Sequence, residues 1–452
     1  MTREIPGRGC SAPSLGRRRR RLARSLGIVL LLALAASAAG PAAAQTSGRI
    51  HIDIEKTSLR RIAVQVGLLD VLSGGVESVA AADRIEDVLA RDLRYSGYFD
   101  VGVGETPAPG DTLRYEFTID GTVEGPLRDA RQTGENAPTT VNLQLMTYPD
   151  RQMVLSKRYR PLPDQMGVTA HHFANEVIQM LTGSPGIALT RIAFSRGHGD
   201  RRDLWVVDYD GENLLRITAN RTLNLCPSWS PDGTEIAFTS YSDHQQGLFS
   251  LATASGKVRK IIQQQGLNLG ADWHPSGREM LLSMSHSGDP EIYRVSPTGE
   301  ILRRVTVSPA IEVSPAWNPA GNRVVFTSDR TGTPQLYMMD ADGAGRERLT
   351  YEGRYNDSAA WSPSGDKLVY AMRESNFTQL VMISTTGEDR RILTNASWRN
   401  AEDPSWAPDG RHVVFASDRT GTFKLYILDV VDGEWRQLTY GEEPDITPDW
   451  SP

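Results

Sequence analysis

The sequence has few of the residues and motifs on which most enzymes depend. Its 452 residues include only two cysteines and eight histidines. The patterns Gly-x-Ser-x-Gly and His-Glu-x-x-His, a P-loop, and a Gly-x-Gly-x-x-Gly before a helix are all absent. These absences disfavour the common hydrolases, zinc proteases and nucleotide-binding enzymes. We therefore expect a protein with no catalytic activity and no cofactor.

Metal sites and disulfides are disfavoured for similar reasons. His171 and His172 are adjacent on a predicted helix, where two neighbouring side chains cannot reach one metal ion. The turns "DYDGEN" and "DADG" resemble the start of a calcium loop but lack its later glutamate. Cys10 precedes the only long apolar run, in a segment that we expect to be removed, so Cys226 would remain alone. We interpret Cys226 as a buried small apolar residue.

The only long apolar run lies near the N-terminus. A basic run from Arg17 to Arg21 is followed by "LGIVLLLALAASAAG" and then by "PAAAQ". This order of basic, apolar and small residues is typical of a secretory signal peptide. We predict a signal peptide over residues 1–44, cleavage after Ala44 and a mature protein in the periplasm. An uncleaved membrane anchor is the alternative.

Positive charge is scarce once this leader is set aside. The leader holds eight arginines and one glutamate, so the mature chain would carry 41 basic and 54 acidic residues, a net charge of about −13. An acidic surface disfavours binding to nucleic acid and to anionic lipid. We expect a monomer that binds no nucleic acid and does not insert into a membrane.

The chain is rich in one repeated pattern. Six copies of it hold a tryptophan: "PSWSPDG", "ADWHPSG", "PAWNPAG", "AAWSPSG", "PSWAPDG" and "PDWSP", with Trp229, Trp273, Trp317, Trp361, Trp406 and Trp450. The intervals between these tryptophans are 44, 44, 44, 45 and 44 residues. A fixed period of this length predicts a repeat architecture. The phrase Ser-Asp-Arg-Thr-Gly-Thr, at residues 328–333 and 417–422, is then one turn seen in two units.

Each unit predicts four short antiparallel strands, because apolar and polar residues alternate between Gly-containing turns. Such units are typical of β-propeller blades, with each Trp stacked between neighbouring blades. The unit that begins at Ser184 lacks its Trp strand, and the C-terminal "DITPDW" supplies one. We predict a six-bladed propeller over residues 185–452, closed by the C-terminal strand.

Residues 45–184 predict an α+β N-terminal domain. Strand patterns occur in "GRIHIDI", "RRIAVQVG", "RYEFTIDGTVEG", "TVNLQLMTY" and "MVLSKRYR". One helix is predicted in "DRIEDVLARDLRYSGYF", with its end at Ser96-Gly97. A second is predicted in "DQMGVTAHHFANEVIQMLTG", ending at Gly183 and carrying Val168, Phe173, Val177 and Leu181 on one face. Strands on one side and two helices on the other form a small sandwich.

Together these motifs resemble the TolB family, the periplasmic component of the Tol-Pal system of Gram-negative envelopes. The segment "AHHFANEVIQMLTGSPGIALTRIAFSR" is similar to the family's helix–Thr-Gly–Thr-Arg-Ile join between domains. The start "GRIHIDIEKTSLRRIAVQVG" is similar to the mature N-terminus of the family. The similarity covers the whole mature chain, although residues 124–138 resemble a looser loop than the family pattern.

The resemblance implies a binding protein that supports outer-membrane integrity and constriction during cell division. The propeller mouth would bind the lipoprotein Pal, and the N-terminal segment would bind the C-terminal domain of TolA. Residues 45–56 include an alternating stretch that can add as a strand to the sheet edge of a partner or, alternatively, dock as an edge strand on its own domain. The predicted binding residues of this segment are Arg49, Ile50, His51, Ile52, Asp53 and Ile54.

The strand that leads into each Trp is innermost in a propeller, so residues three to six before each Trp are expected near one opening of the channel. The predicted site residues are Leu223, Asn224, Leu267, Asn268, Gly270, Ile311, Glu312, Ser314, Asn356, Asp357, Asn400, Glu402 and Asp445. Two other functions stay open. One is a solitary propeller with a hydrolytic or sugar-binding site, marked by carboxylates and arginine converging on the channel. The other is a scaffold within a larger membrane enzyme.

Overall fold

The N-terminal domain is a six-stranded sheet covered on one side by two helices. The computed structural model describes residues 60–104, 115–125, 137–242 and 245–452, so the predictions for residues 1–59 lie outside it. The elements are β1 (Ile62–Val66), β2 (Asp70–Ser73), α1 (Val76–Tyr95), β3 (Phe99–Val103), β4 (Phe117–Glu124), β5 (Thr140–Thr147), β6 (Met153–Tyr159) and α2 (Met166–Thr182). The strand order is β3-β1-β4-β5-β6, and β2 pairs with β4 beyond the end of β1. This confirms the predicted α+β sandwich.

The two helices bury one face each against this sheet. Ile85, Leu89 and Leu93 of α1 are fully buried, as the helical spacing predicts. In α2, Phe173, Val177 and Leu181 are buried as predicted, but Val168 is exposed and that part of the prediction is wrong. Val168 is five residues from Phe173, which places it about 140° away around the helix. Met166 and Ala170 occupy the buried face instead.

Residues from 191 onward form six four-stranded antiparallel sheets within the part of the chain that is described. Blade 1 contains β7 (Arg191–His198), β8 (Arg201–Asp208) and β9 (Leu215–Arg216). Blade 2 contains β10 (Asn224–Trp229), β11 (Glu235–Ser240), β12 (Gly247–Ala252) and β13 (Val258–Ile262). Blade 3 contains β14 (Asn268–Trp273), β15 (Met280–Met284), β16 (Glu291–Val295) and β17 (Ile301–Arg304).

The remaining blades follow the same order. Blade 4 contains β18 (Glu312–Trp317), β19 (Arg323–Ser328), β20 (Gln335–Asp340) and β21 (Glu347–Arg348). Blade 5 contains β22 (Tyr355–Trp361), β23 (Lys367–Arg373), β24 (Thr378–Ser384) and β25 (Arg391–Ile392). Blade 6 contains β26 (Ala401–Trp406), β27 (His412–Ser417), β28 (Lys424–Asp429) and β29 (Trp435–Gln437).

The C-terminal strand closes the ring, as the repeat pattern predicts. Strand β30 (Asp445–Trp450) pairs with β7 as the innermost strand of blade 1, and Asp445 lies opposite Arg196. The Trp450 indole donates a hydrogen bond to the hydroxyl of Thr190 at 2.8 Å. The first and last segments of the propeller therefore share one sheet. The domain boundaries after residues 44 and 184 remain predictions. Residue 184 lies in the connection between α2 and β7.

The tryptophans of the repeat join neighbouring blades. Trp273 donates its indole N–H to the Ser228 carbonyl of the preceding blade at 3.2 Å. Trp361 and Trp406 make the equivalent bond to Ala316 and Ala360. The large packed ring gives each Trp of the repeat a structural role, as the sequence predicts, and in these three tryptophans the indole bond adds to it.

The phrase Ser-Asp-Arg-Thr-Gly-Thr forms a turn between the second and third strands of blades 4 and 6. Asp329 accepts the backbone N–H of Ile311 at 2.8 Å, and Asp418 accepts that of Asn400 at 2.9 Å. Ile311 and Asn400 are the residues immediately before the innermost strand of their own blade. The repeated phrase therefore fastens the start of that strand.

The N-terminal domain packs against blades 1 and 6, at the end of the propeller where the innermost strands finish. On blade 1, Arg91 pairs with Asp210 in the turn after β8 at 2.5 Å. On blade 6, Arg61 pairs with Asp432 in the turn after β28 at 2.8 Å. The opposite end, where the innermost strands begin, is called the mouth below. No helix of the described residues has the length and apolar character needed to cross a membrane.

Candidate functional site

A bulge recurs in the innermost strand of every blade and shapes the central channel. The residue three positions before each Trp has a left-handed backbone with φ between 49° and 63°: Cys226, Gly270, Ser314, Ser358, Asp403 and Thr447. The strand register shifts at the same place in all six blades. A bulge of this kind turns the strand and re-aims the residues that follow. Here those residues line the channel.

The bulges surround a channel cavity of about 400 Å³ to which all six blades contribute. Three carboxylates line it: Asp272, Asp403 and Asp449. Burial raises the pKa of Asp272 to about 7 and the pKa values of Asp403 and Asp449 to about 6. The neighbouring charge of Asp449 also raises the pKa of Asp272, and Glu402 and Asp357 act on Asp403 in the same way.

Two of these carboxylates hold the ring together. Asp272 accepts the backbone N–H of Trp317 in the next blade at 2.6 Å, and Asp449 accepts that of Trp229 at 2.7 Å. The lining residues include no arginine, lysine or histidine, so carboxylates and arginine do not converge in the channel. Among the described residues, no three His, Cys, Asp or Glu side chains are grouped to hold one metal ion.

Cys226 lines this channel and is half-buried, so its interpretation as a buried small apolar residue is wrong. The bulge turns it out of the blade core and towards the channel axis. Burial raises the pKa of its thiol to about 12, with a further contribution from Asp403 and Asp357. The thiol is therefore protonated at neutral pH and is a weak nucleophile.

Five of the predicted site residues are fully buried inside the blades. All five lie five positions before a Trp: Asn224, Asn268, Glu312, Asn356 and Asp445. Their side chains are enclosed by the strands of their own and neighbouring blades and offer no surface to a partner in this structure. Their role in binding is untested, but the structure gives them a different role, which is to fasten strands and blades together.

The bonds of these buried residues reach mainly to the preceding blade. Asn224 donates to the Arg202 carbonyl at 2.8 Å, and Asn356 donates to the Gln335 side chain at 2.9 Å. Asp445 accepts from Lys424 of blade 6 at 3.1 Å. Because buried polar groups are costly unless they are hydrogen-bonded, these contacts define how adjacent blades meet.

Glu312 has a partner in its own blade instead. Its two carboxylate oxygens accept from the Arg330 guanidinium at 2.8 and 2.9 Å, and Ser328 donates to it at 3.0 Å. The Arg330 guanidinium also lies 4.7 Å from the centre of the Tyr337 ring. The arginine of the repeated turn is thus held by charge and stacking together.

The other predicted residues divide between the channel and its rim. Gly270 and Ser314 line the channel cavity. Leu223, Leu267, Asp357, Asn400 and Glu402 are half-buried, and Ile311 is 47% exposed. Asp357 accepts from Thr327 of the preceding blade at 2.6 Å. Of these, Ile311 presents the most apolar surface to solvent.

Sequence reasoning missed a set of exposed aromatic and aliphatic residues at the mouth. They are Tyr241, Val307, Tyr351, Tyr355 and Tyr440, and each is at least 39% exposed. A signal was present, because Tyr351 and Tyr440 both follow Leu-Thr at the same point of their units. We call these five residues and Ile311 the apolar rim. The N-terminal site residues, Arg49 to Ile54, lie outside the described residues.

Comparison with known proteins agrees with this architecture. The family model PD40, the TolB beta propeller domain, matches residues 178–408. The Tol-Pal system protein TolB of Desulfosudis oleivorans is 32% identical over 210 residues, 42% of this chain and 45% of the relative. That of Syntrophus aciditrophicus is 32% identical over 252 residues, 53% of this chain and 56% of the relative. The chain therefore spans about half the length of the curated relatives that it matches.

A solved structure shares the whole fold. The crystal structure of TolB from Acinetobacter baumannii is 24% identical, with a TM-score of 0.74 over 87% of this chain and 97% of that chain. It has the same arrangement of a small α+β domain and a propeller as this chain. The family model extends over half of the sequence and covers most of the repeat. The chain therefore belongs to the TolB β-propeller domain family.

Proposed function

We propose that this protein is a non-catalytic binding scaffold of the Tol-Pal system in the periplasm, and that its propeller mouth binds Pal. The observation that carries the proposal is the apolar rim. It surrounds the end of the channel that the N-terminal domain leaves open. Family membership and the names of the relatives support the assignment to the Tol-Pal system, and the exposed apolar surface of the mouth supports the choice of site.

The mouth has the composition of a protein-binding surface. Exposed Tyr and Ile side chains stand beside half-buried polar groups such as Asp357 and Glu402. Aromatic residues are enriched at the centres of protein interfaces, where they provide large apolar contacts at low entropic cost. Behind them, Asn224 and Asn356 fasten the blades. The rim is therefore carried on a rigid ring, which lowers the cost of ordering it on binding.

The second proposed partner is the C-terminal domain of TolA, bound by residues 45–56. This proposal rests on the family resemblance and on the alternation of Ile50, Ile52 and Ile54 with polar residues. A strand of this kind binds by adding to the edge of a partner's sheet. By binding both Pal and TolA, the protein would link the two membranes. It would thereby support outer-membrane integrity and constriction at cell division.

The test compares exposed apolar residues at the mouth with similar residues elsewhere. The double variant Ile311→Ala, Tyr351→Ala removes two members of the apolar rim, whereas Leu302→Ala and Val76→Ala remove equally exposed side chains far from the mouth. Binding of the soluble domain of Pal is measured by calorimetry, beside the melting temperature of each variant.

We expect the double variant to bind Pal at least ten times more weakly with an unchanged melting temperature, since central apolar anchors dominate interface energies. The two control variants should bind as the wild type does. Unchanged affinity in the double variant would show that the mouth is not the Pal site.

A further inference from the structure

The mouth is nearly symmetric in backbone but not in charge. On blades 1 and 2 it carries three arginines that make no ion pair with any described residue: Arg201, Arg202 and Arg221. We call them the basic sector. On blades 5 and 6 the mouth carries the carboxylates Asp357, Glu402 and Asp418 beside its arginines, and Arg399 there pairs with Asp418. The chain as a whole has a net charge of −6, so this sector is a local exception.

Arg202 is the central member, and its guanidinium lacks a partner. The side chain is half-buried between blades 1 and 2, and its Nη1 is fully buried without a hydrogen bond to any described residue. Burial lowers the pKa of Arg202, and only the more distant charge of Asp445 opposes this. Burying a charged group without a partner costs free energy. A bound anion would remove that cost.

The backbone holds Arg202 at the rim. Its N–H donates to the Thr222 carbonyl at 3.2 Å, it forms a bridge with Leu223, and its carbonyl accepts from Asn224 at 2.8 Å. These contacts place the hairpin tip that carries Arg201 beside the loop that carries Arg221. The three arginines therefore lie on the same side of the opening.

Several other basic residues at the mouth are already occupied, and Arg354, which makes no ion pair with a described residue either, is exposed to solvent rather than half-buried. Arg196 and Lys424 both bind the buried Asp445, and Arg330 binds Glu312. Arg419 is stacked between the rings of Trp398 and Trp435, at 4.1 and 3.9 Å from their centres. Arg202 has neither an ion pair nor a ring contact among the described residues, which sets it apart from them.

We propose that the basic sector binds carboxylate groups of an acidic segment on the protein partner of the mouth, and that this contact fixes how the partner is rotated on the ring. A planar guanidinium binds a carboxylate through two parallel hydrogen bonds. Because the six blades are similar, a partner held only by apolar contacts could bind in six similar rotations about the propeller axis. A positive charge on one side of the mouth favours one of these rotations. The inference rests on the proposed function of the mouth.

The first test needs no natural partner. The probe is a hexaglutamate peptide, with a hexaglutamine peptide as its neutral match, and the readout is the melting temperature of the protein. We expect hexaglutamate to raise the melting temperature of the wild type but not that of Arg202→Gln, and hexaglutamine to raise neither. The control Arg303→Gln removes an exposed arginine charge from the outer strand of blade 3, away from the mouth, and should respond like the wild type. An equal response in Arg202→Gln would overturn the proposal.

The second test uses the soluble domain of Pal. Arg202→Gln should weaken its binding at least tenfold at low salt, and the difference from the wild type should shrink as salt is raised. The free variant should melt no earlier than the wild type, because the change removes an unpartnered half-buried charge. If the wild type and Arg202→Gln bind Pal with equal affinity, the proposed role of the basic sector is wrong, whereas the proposal that the mouth binds Pal is unaffected.

The hexaglutamate and Pal experiments also distinguish a failure of the proposed function from a failure of the basic-sector proposal. If the wild type binds hexaglutamate through Arg202 but does not bind Pal, the basic sector stands and the proposed function fails. Phosphatidylglycerol vesicles are the third probe, because guanidinium groups also bind phosphate. Binding to these vesicles that Arg202→Gln loses would show a lipid-binding site and would overturn the carboxylate proposal.

Discussion

Gly97 determines how closely the N-terminal domain approaches the propeller. It follows the last turn of α1 with a left-handed φ of 74°, which ends the helix. A side chain there would meet Arg411 and Asp429 of blade 6, since a Cβ atom would lie 2.4 Å from the Asp429 carboxylate. Those two residues form a buried ion pair at 2.5 Å. The glycine therefore both ends a helix and leaves room for the other domain.

The change Gly97→Ala is predicted to cost more stability than the same change at Gly183. Gly183 ends α2 with a similar φ of 70°, but no atom lies within 4 Å of its missing Cβ. Gly183→Ala should cost only the backbone strain, about 1–2 kcal/mol. Gly97→Ala should cost about 1–3 kcal/mol more, because it displaces a buried ion pair. Chemical denaturation of both variants measures the difference, and equal costs would contradict the close contact.

His171 joins the two domains through charged groups. Its Nδ1 lies 2.7 Å from Asp92 on α1, and Asp92 also accepts from the Tyr209 hydroxyl of blade 1. Asp210 of blade 1 faces the other ring nitrogen at 3.9 Å, and Arg91 lies nearby. Burial alone would lower the pKa of His171, but Asp92 and Asp210 raise it above its ordinary value of 6.5 despite the opposing charge of Arg91.

A raised pKa in the folded state makes the His171 contribution to stability depend on pH. The contribution is complete below pH 6.5 and is lost as pH rises through the raised pKa. We predict that the free energy of unfolding of the wild type falls over this range and that His171→Gln removes this component. The neighbouring His172 is exposed, so His172→Gln should keep the wild-type profile. A His171→Gln profile parallel to that of the wild type would contradict this role.

At the scale of elements, the closing strand β30 has the largest predicted effect. Stopping the chain after Glu443 removes Trp450, which contributes on the order of 3 kcal/mol by burial. It also leaves Arg196 and Lys424 buried without Asp445, their shared partner. Since a whole domain is stable by only about 5–15 kcal/mol, the propeller should melt far earlier or aggregate.

A graded control keeps the strand and changes only its charge. Asp445→Asn retains β30 and Trp450 but weakens the contacts with Arg196 and Lys424, so its melting temperature should fall between those of the truncated and the full protein. Calorimetry gives all three values. A truncated protein that stays monomeric and melts with the full chain would contradict ring closure by β30.

Elements were easier to predict from sequence than side-chain directions. The 44-residue period and alternating residues were enough for six blades and for the closing strand, because both depend on local patterns. The burial of the Asn268 and Glu312 side chains could not be predicted in this way, because the direction of each side chain depends on its contacts with the surrounding strands and the neighbouring blade. The left-handed bulge at Ser314 or Thr447 also has no sequence signal, since five of the six bulge residues are not glycine.

At the scale of the whole molecule, the two ends of the propeller have different tasks. One end carries the N-terminal domain on blades 1 and 6, the two blades that β30 joins into a ring. The other end is open and carries the apolar rim and the basic sector. A partner at the mouth therefore has access to the ring without competing with the N-terminal domain for the same surface.

Site-specific cross-linking tests this division most directly. A photoreactive phenylalanine analogue is placed at Tyr355 or Ile311 on the mouth, and at Val76 or Leu302 as exposed positions elsewhere. Each protein is expressed in cells and irradiated, and the cross-linked products are identified by mass spectrometry. We predict that Pal is cross-linked from Tyr355 and Ile311 and not from Val76 or Leu302. Cross-links to Pal from Val76 or Leu302 alone would place its binding site away from the mouth and contradict the account.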